Sequence, residues 1–180
     1  AMQARYAEDA GSIEPNVAAA VTSIVANKGS ASDYDAFLAT FKDPATPQEE
    51  TRYMYALAGF PGDAQIARTL EMTLNDEIRT QNAPYVVAYC MMNREHGSKA
   101  WQYIKDNWDE MFEKYPTNTI ARMLSGVKAL SRPKESEDVF AFFEDHEVPQ
   151  GRLMLEQHLE KLRVNVALRE REAGRLADAL

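Results

Sequence analysis

A single cysteine, Cys90, excludes an internal disulfide and fits a reducing, cytoplasmic compartment. It lies in the apolar run from Tyr85 to Met92, which predicts a buried, inert thiol rather than a nucleophile. Basic charge is also short. Lys and Arg number 20 against 28 Asp and Glu, a net charge of −8. That balance argues against nucleic acid as a partner, because phosphate binding needs a basic face, and against docking on anionic lipid. No run of about 18 apolar residues exists, so no segment is expected to span a membrane. The first residues lack a basic stretch followed by an apolar core, which predicts no secretory signal there.

The groups that carry chemistry are equally sparse. Of the three histidines, His96, His146 and His158, none has a second His three to five residues away. A His-Glu-x-x-His zinc motif beginning at His146 would need His where Gln150 stands, and His158 meets Leu162 at the same offset. No Gly-x-Ser-x-Gly segment, Cys–His arrangement or glycine-rich phosphate loop is present, and the eight glycines fall mostly at helix ends. Carboxylate pairs such as Glu49/Glu50, Asp109/Glu110 and Glu135/Glu137/Asp138 lie at helix starts or on a wet helix face. There they complement the helix dipole. No catalytic, cofactor-binding or metal-ligating residue is therefore expected in this stretch.

What the chain has is helix. From Gly97 to Tyr115, Trp101, Ile104, Trp108, Met111, Phe112 and Tyr115 recur at steps of three and four and form one apolar face. Both tryptophans fall there, and each can bury roughly 200 Å². This is a core helix. Around it the spacing predicts a weak lead-in helix at 3–9 and one opened by Pro15 with Val17, Val21, Ile24 and Val25 inward, closed by Gly29. A Ser32-capped helix carries Tyr34, Phe37, Leu38 and Phe41, and one opened by Thr46-Pro47-Gln48-Glu49 buries Tyr53, Met54 and Leu57. Asp63 caps the next, Pro84 opens an almost wholly apolar central helix, and Thr117 or Asn118 caps another. Val139, Phe142 and Phe143 mark a further helix, and Leu155, Leu159, Leu162 and Val166 the last, which Gly174 could divide. No window alternates in the manner of a strand. With linkers of two to six residues, the expectation is an all-α chain over residues 1–180, a single irregular α-solenoid of antiparallel helix pairs (HEAT/ARM-like superhelix).

Two segments then point to a family. Arg79-Thr-Gln81-Asn82-Ala-Pro84, followed by Gly97-x-x-Ala100-Trp101 and Asn107-Trp108, resemble the C-terminal helical domain of zinc aminopeptidases. The group is that of puromycin-sensitive aminopeptidase, aminopeptidase N and endoplasmic-reticulum aminopeptidase. Lys105-Asp106-Asn107-Trp108, Ile120-Ala-Arg-Met, Val139-Phe-Ala-Phe-Phe143 and Asn165-Val-Ala-Leu match as well. The similarity covers most of the chain from about Glu49 onward. Asn82 stands where family members often have Asp, and Leu168 where many have an aromatic.

The resemblance implies a non-catalytic domain that closes over a separate zinc-bearing catalytic domain of the same polypeptide and limits or guides peptide access. The family's zinc ligands, general-base Glu and transition-state Tyr lie upstream of this domain, and none of their motifs occurs here. Helix-end residues are the candidates for facing the chamber: Tyr115, Thr117 and Asn118, and Ala129, Leu130 and Arg132. The alternative is a free-standing α-solenoid that binds a protein or peptide in its groove. An excised domain should expose an apolar patch larger than a few hundred Å²; a free-standing scaffold should end in polar capping helices.

Overall fold

Local capping chemistry sets most helix starts in the computed structural model, which describes residues 14–179. The expected lead-in helix at 3–9 lies outside those residues. Glu14 accepts the backbone N–H groups of Asn16 and Val17, both at 3.1 Å, ahead of helix α1 (Pro15–Ala26). Helix α2 (Ala31–Lys42) is capped by Ser30 rather than Ser32. Ser30 Oγ accepts from Asp33 N at 3.3 Å, and the Asp33 carboxylate takes the Ser30 N–H at 2.8 Å. This reciprocal box satisfies two otherwise orphaned donors. In α3 (Pro47–Leu57), Thr46 Oγ1 accepts from Glu49 N at 3.1 Å, while Glu49 reaches back one residue further than expected, to Ala45 N at 2.8 Å. Helix α4 runs Asp63–Glu71.

The described residues divide into two compact units that part between Thr69 and Leu70. In the first, α2 and α3 pack against each other and α1 lies against both. Its core is aromatic: Phe37 meets Tyr53 and Phe60 edge-on at 4.8 and 5.3 Å, and Tyr34 meets Phe60 at 5.2 Å. Such geometry adds about 0.5–1.5 kcal/mol per pair beyond area burial. The buried side of α1 is Ala18, Thr22 and Ala26; Val17 and Ile24 are exposed, contrary to the spacing argument. Small residues at i, i+4 and i+8 let the helix approach closely, and periodicity of large residues misses such a seam. Gly29 serves the same closeness, since a Cβ there would come within 2.4 Å of the Phe60 ring.

In the second unit an irregular segment, 72–82, leads into α5 (Ala83–Met91), whose residues are all buried except Tyr85 and Tyr89. Ile78 is fully buried in this segment, its N–H bonded to Met72 O at 3.0 Å. The rest is α6 (Gly97–Asp106), α7 (Trp108–Lys114), α8 (Thr117–Met123), a 3-10 helix (Leu124–Ala129), α9 (Pro133–Asp145) and α10 (Arg152–Ala179). Helix α5 is central and touches α6, α8 and the 3-10 helix. Gly126 makes that approach possible, because a Cβ would lie 2.7 Å from both Ala88 O and Met91 Cβ. Ile120, Met123 and Val127 are fully buried beside it, each contributing roughly 1.5–3 kcal/mol relative to exposure.

The Trp-bearing segment is two helices, not one. Asn107 turns its side-chain amide onto Tyr103 O at 2.8 Å and leaves the helical region (φ −123°), so α6 stops and α7 restarts. The apolar face survives the break: Trp101 and Trp108 both meet Phe142 of α9 edge-on, at 5.2 and 5.1 Å. The last helix is continuous over 28 residues and passes Gly174 unbroken. An interior glycine costs only about 1 kcal/mol relative to Ala, too little to stop a long helix. Among the described residues every regular element is helical, so the chain is all-α, built of successive helices paired through short turns.

Candidate functional site

The helix-end residues singled out from the sequence separate into buried and exposed. Tyr115 closes α7 with 3% of its surface exposed and donates its hydroxyl to Thr73 O at 3.1 Å. Burial holds its phenol protonated well above the ordinary tyrosine range. Leu130 is 2% exposed and ends the 3-10 helix, its N–H on Val127 O at 3.0 Å. Both side chains are core. Thr117, Asn118, Ala129 and Arg132 lie at the surface.

The two sets are held by different elements. Thr117 and Asn118 open α8, but neither caps it; Pro116 occupies the cap position, and its carbonyl accepts from Thr119 N at 2.8 Å and Thr119 Oγ1 at 2.6 Å. Thr117 Oγ1 instead donates to Gln150 Oε1 at 2.7 Å, joining α8 to the turn before α10. Ala129, Leu130 and Arg132 line a pocket of about 300 Å³ whose other walls come from the turn after α5, the start of α6, and α10. Two further arginines, Arg94 and Arg169, complete that pocket. Sequence reading did not single them out, because 75 residues separate them and no spacing rule joins a turn to a distant helix face.

A second groove runs between the 3-10 helix and α10, lined by Ala129, Leu168, Ala173 and Leu176 with Lys128 and Arg169 at its edge. Asn165 Nδ2 donates to Lys128 O at 2.8 Å and fixes α10 here. Along α10, Leu153, Val164, Leu168 and Leu176 are exposed, whereas Leu155 and Leu162 are buried.

No set of three His, Cys, Asp or Glu side chains converges to hold a metal ion among the described residues. His146 places Nδ1 2.8 Å from Phe142 O and stacks on the Phe142 ring at 3.8 Å. His158 is half-buried, and its Nε2 has no hydrogen-bond partner. Burial, helped by nearby Lys128, lowers its pKa against the effect of a hydrogen bond to the Ala121 backbone. Cys90 is fully buried, which raises its thiol beyond any reactive range. These residues do not fit a zinc site.

The sequence model of the ERAP1-like C-terminal domain matches residues 1–164. The chain belongs to that family. Curated relatives include aminopeptidase M1-B of Oryza sativa subsp. japonica, 28% identical over 134 residues, covering 73% of this chain and 15% of the relative. Aminopeptidase M1 of Arabidopsis thaliana is 26% identical over 145 residues (78% and 16%), and glutamyl aminopeptidase of Bos taurus 25% over 146 (78% and 15%). The chain thus spans about 15% of the length of these relatives. Within this ERAP1-like domain the residues of the sequence motifs have identifiable structural tasks. Pro84 sits in the first turn of α5, Asn107 breaks the Trp segment, and Trp101 and Trp108 clasp α9. No helix among the described residues is long and apolar enough to cross a membrane.

Proposed function

We propose that this domain is the non-catalytic C-terminal part of a zinc-dependent aminopeptidase, closing the chamber over the catalytic domain of the same polypeptide and limiting or guiding peptide access. The observation that carries this reading is the family match over residues 1–164 together with coverage of only 15% of aminopeptidase relatives. The zinc and the catalytic groups then belong to the remainder of the polypeptide, since the residues described offer no ligand set. In that enzyme zinc would supply activated water for hydrolysis of the N-terminal peptide bond. This domain would supply walls. Thr117, Asn118, Ala129 and Arg132 are the candidate residues that have surface to offer a peptide; Tyr115 and Leu130 would act only by holding those turns in place. The exposed Leu153, Val164, Leu168 and Leu176 of α10 support an additional packed neighbour. We assign the protein to the cytoplasm on its single, buried thiol.

The groove beside α10 favours a second reading, a free-standing α-solenoid that takes a protein or peptide segment there. The two separate on the size of the native polypeptide, by immunoblot of source-cell extract with an antibody to this domain. A band several times larger than 20.3 kDa, with chelator-sensitive aminopeptidase activity in the precipitate, supports the first. A band near that mass overturns it.

A further inference from the structure

The pocket beside Ala129 gathers positive charge in a chain whose net charge is −8. Arg94 reaches it from the turn after α5, Arg132 from the residue before α9, and Arg169 from α10. Arg132 is paired with Glu135 at 3.0 Å, and Glu135 also lines the pocket. Arg169 touches Ser131 Oγ at 3.5 Å and forms no ion pair among the described residues; Arg94 forms neither a hydrogen bond nor an ion pair among them. Two guanidiniums are therefore left without a carboxylate although acidic residues are in excess. Placing like charges around one concavity is unfavourable unless an anion sits between them.

The start of α6 forms part of the pocket wall. Gly97 opens α6 there, and a Cβ at this position would lie 2.4 Å from Met91 O and 3.5 Å from Leu130 Cδ2. Ser98 follows in the first turn, and no side chain caps that helix end. Its partial positive charge adds to the arginine field.

We propose that this pocket binds a small oxyanion, a phosphate or carboxylate group, gripped by Arg94 and Arg169 and backed by the Arg132–Glu135 pair. Guanidinium forks suit the paired oxygens of such groups, whereas a halide offers them no geometry. With Glu135 offsetting Arg132, the two remaining charges match a dianion, so phosphate is the better fit. The inference does not depend on the place of this domain in a longer enzyme.

The test is a titration of the 180-residue chain with inorganic phosphate at constant ionic strength, followed by calorimetry and by the amide NMR signals of Gly97 and Ser98. Phosphoserine and acetate serve as phosphomonoester and carboxylate sources. The expected result is saturable one-to-one binding with shifts concentrated at Gly97 and Ser98. Arg94→Ala should weaken it roughly tenfold, and Arg94→Glu combined with Arg169→Glu should abolish it. Arg94 is exposed and forms no hydrogen bond or ion pair among the described residues, so the single variant remains informative if the double variant is unstable. Binding of phosphate and phosphoserine identifies the phosphate group as the ligand; binding of acetate alone, with the same losses, identifies a carboxylate. Absence of saturation by all three, or saturation unchanged by Arg94→Ala, overturns the proposal.

Discussion

Trp101 donates its indole N–H to Asp138 Oδ2 at 2.7 Å, and Lys105 Nζ meets the same oxygen at 2.7 Å. One carboxylate thus joins two residues a turn apart on α6 to α9. Burial alone would raise the Asp138 pKa, but the hydrogen bonds from Lys105 and Trp101 and the Lys105 charge outweigh it and hold it below the ordinary value. Replacing Asp138 by Asn keeps an acceptor for the indole and removes the charge. We expect a loss of about 1 kcal/mol at neutral pH, small because the side chain is 45% exposed. The folded pKa is depressed, so the difference between Asp138→Asn and the parent should vanish as pH falls through the carboxylate range. Urea midpoints at pH 7 and pH 3 check it.

Two glycines give opposite outcomes. Gly126→Ala forces a Cβ to 2.7 Å from Ala88 O, a backbone atom that cannot step aside, and from Met91 Cβ. About 2–3 kcal/mol should be lost. Gly174→Ala meets nothing within 4 Å inside a continuous helix, so about 0.5–1 kcal/mol should be gained. Thermal denaturation of the two variants against the parent measures both signs at once.

His158 makes stability sensitive to mild acid. Its folded pKa is lowered, chiefly by burial and then by Lys128, so the unfolded chain takes up the proton first as pH falls. The contribution is fully present above about pH 6.5 and is lost progressively below it. Replacing His158 by Asn should flatten the denaturation midpoint between pH 7.5 and 5.5. An unchanged slope would show that other groups govern this window.

Tyr103 acts at the other end of the scale. Burial, then the charges of Glu110 and Glu71, push its phenol up to about 12, against a hydrogen bond to Thr73. The folded state keeps a proton that the unfolded chain releases near pH 10, so stability should fall as pH rises from about 10 to 12. Tyr103→Phe should reduce that loss, read by circular dichroism alongside phenolate absorbance.

The fold was legible wherever large apolar residues repeat on one helix face, as in the Trp segment, α3 and α5. It was not legible where contact is made by small residues, as at Ala18, Thr22 and Ala26, or where a side chain competes with its own helix, as at Asn107. Gly174 misled for a related reason: glycine marks helix ends statistically, yet its conformational cost is small beside the propagation of a long helix. Helix ends are recognisable in sequence, but Tyr115 and Leu130 turn inward, and the pairing of Arg94 with Arg169 exists only in three dimensions.

Helix α10 spans 28 residues, about 42 Å at 1.5 Å per residue, yet its buried anchors, Leu155 and Leu162, both lie in the first half. Beyond them, the polar side chains of α10 reach the 3-10 helix through Asn165–Lys128 and the turn after it through Arg169–Ser131. The far half is therefore a lever clamped at one end. Hydrogen exchange should slow stepwise from Leu176 toward Leu162, and a load on the tip would be delivered as torque to Lys128 and Ser131, which flank Ala129 and Leu130 of the arginine pocket.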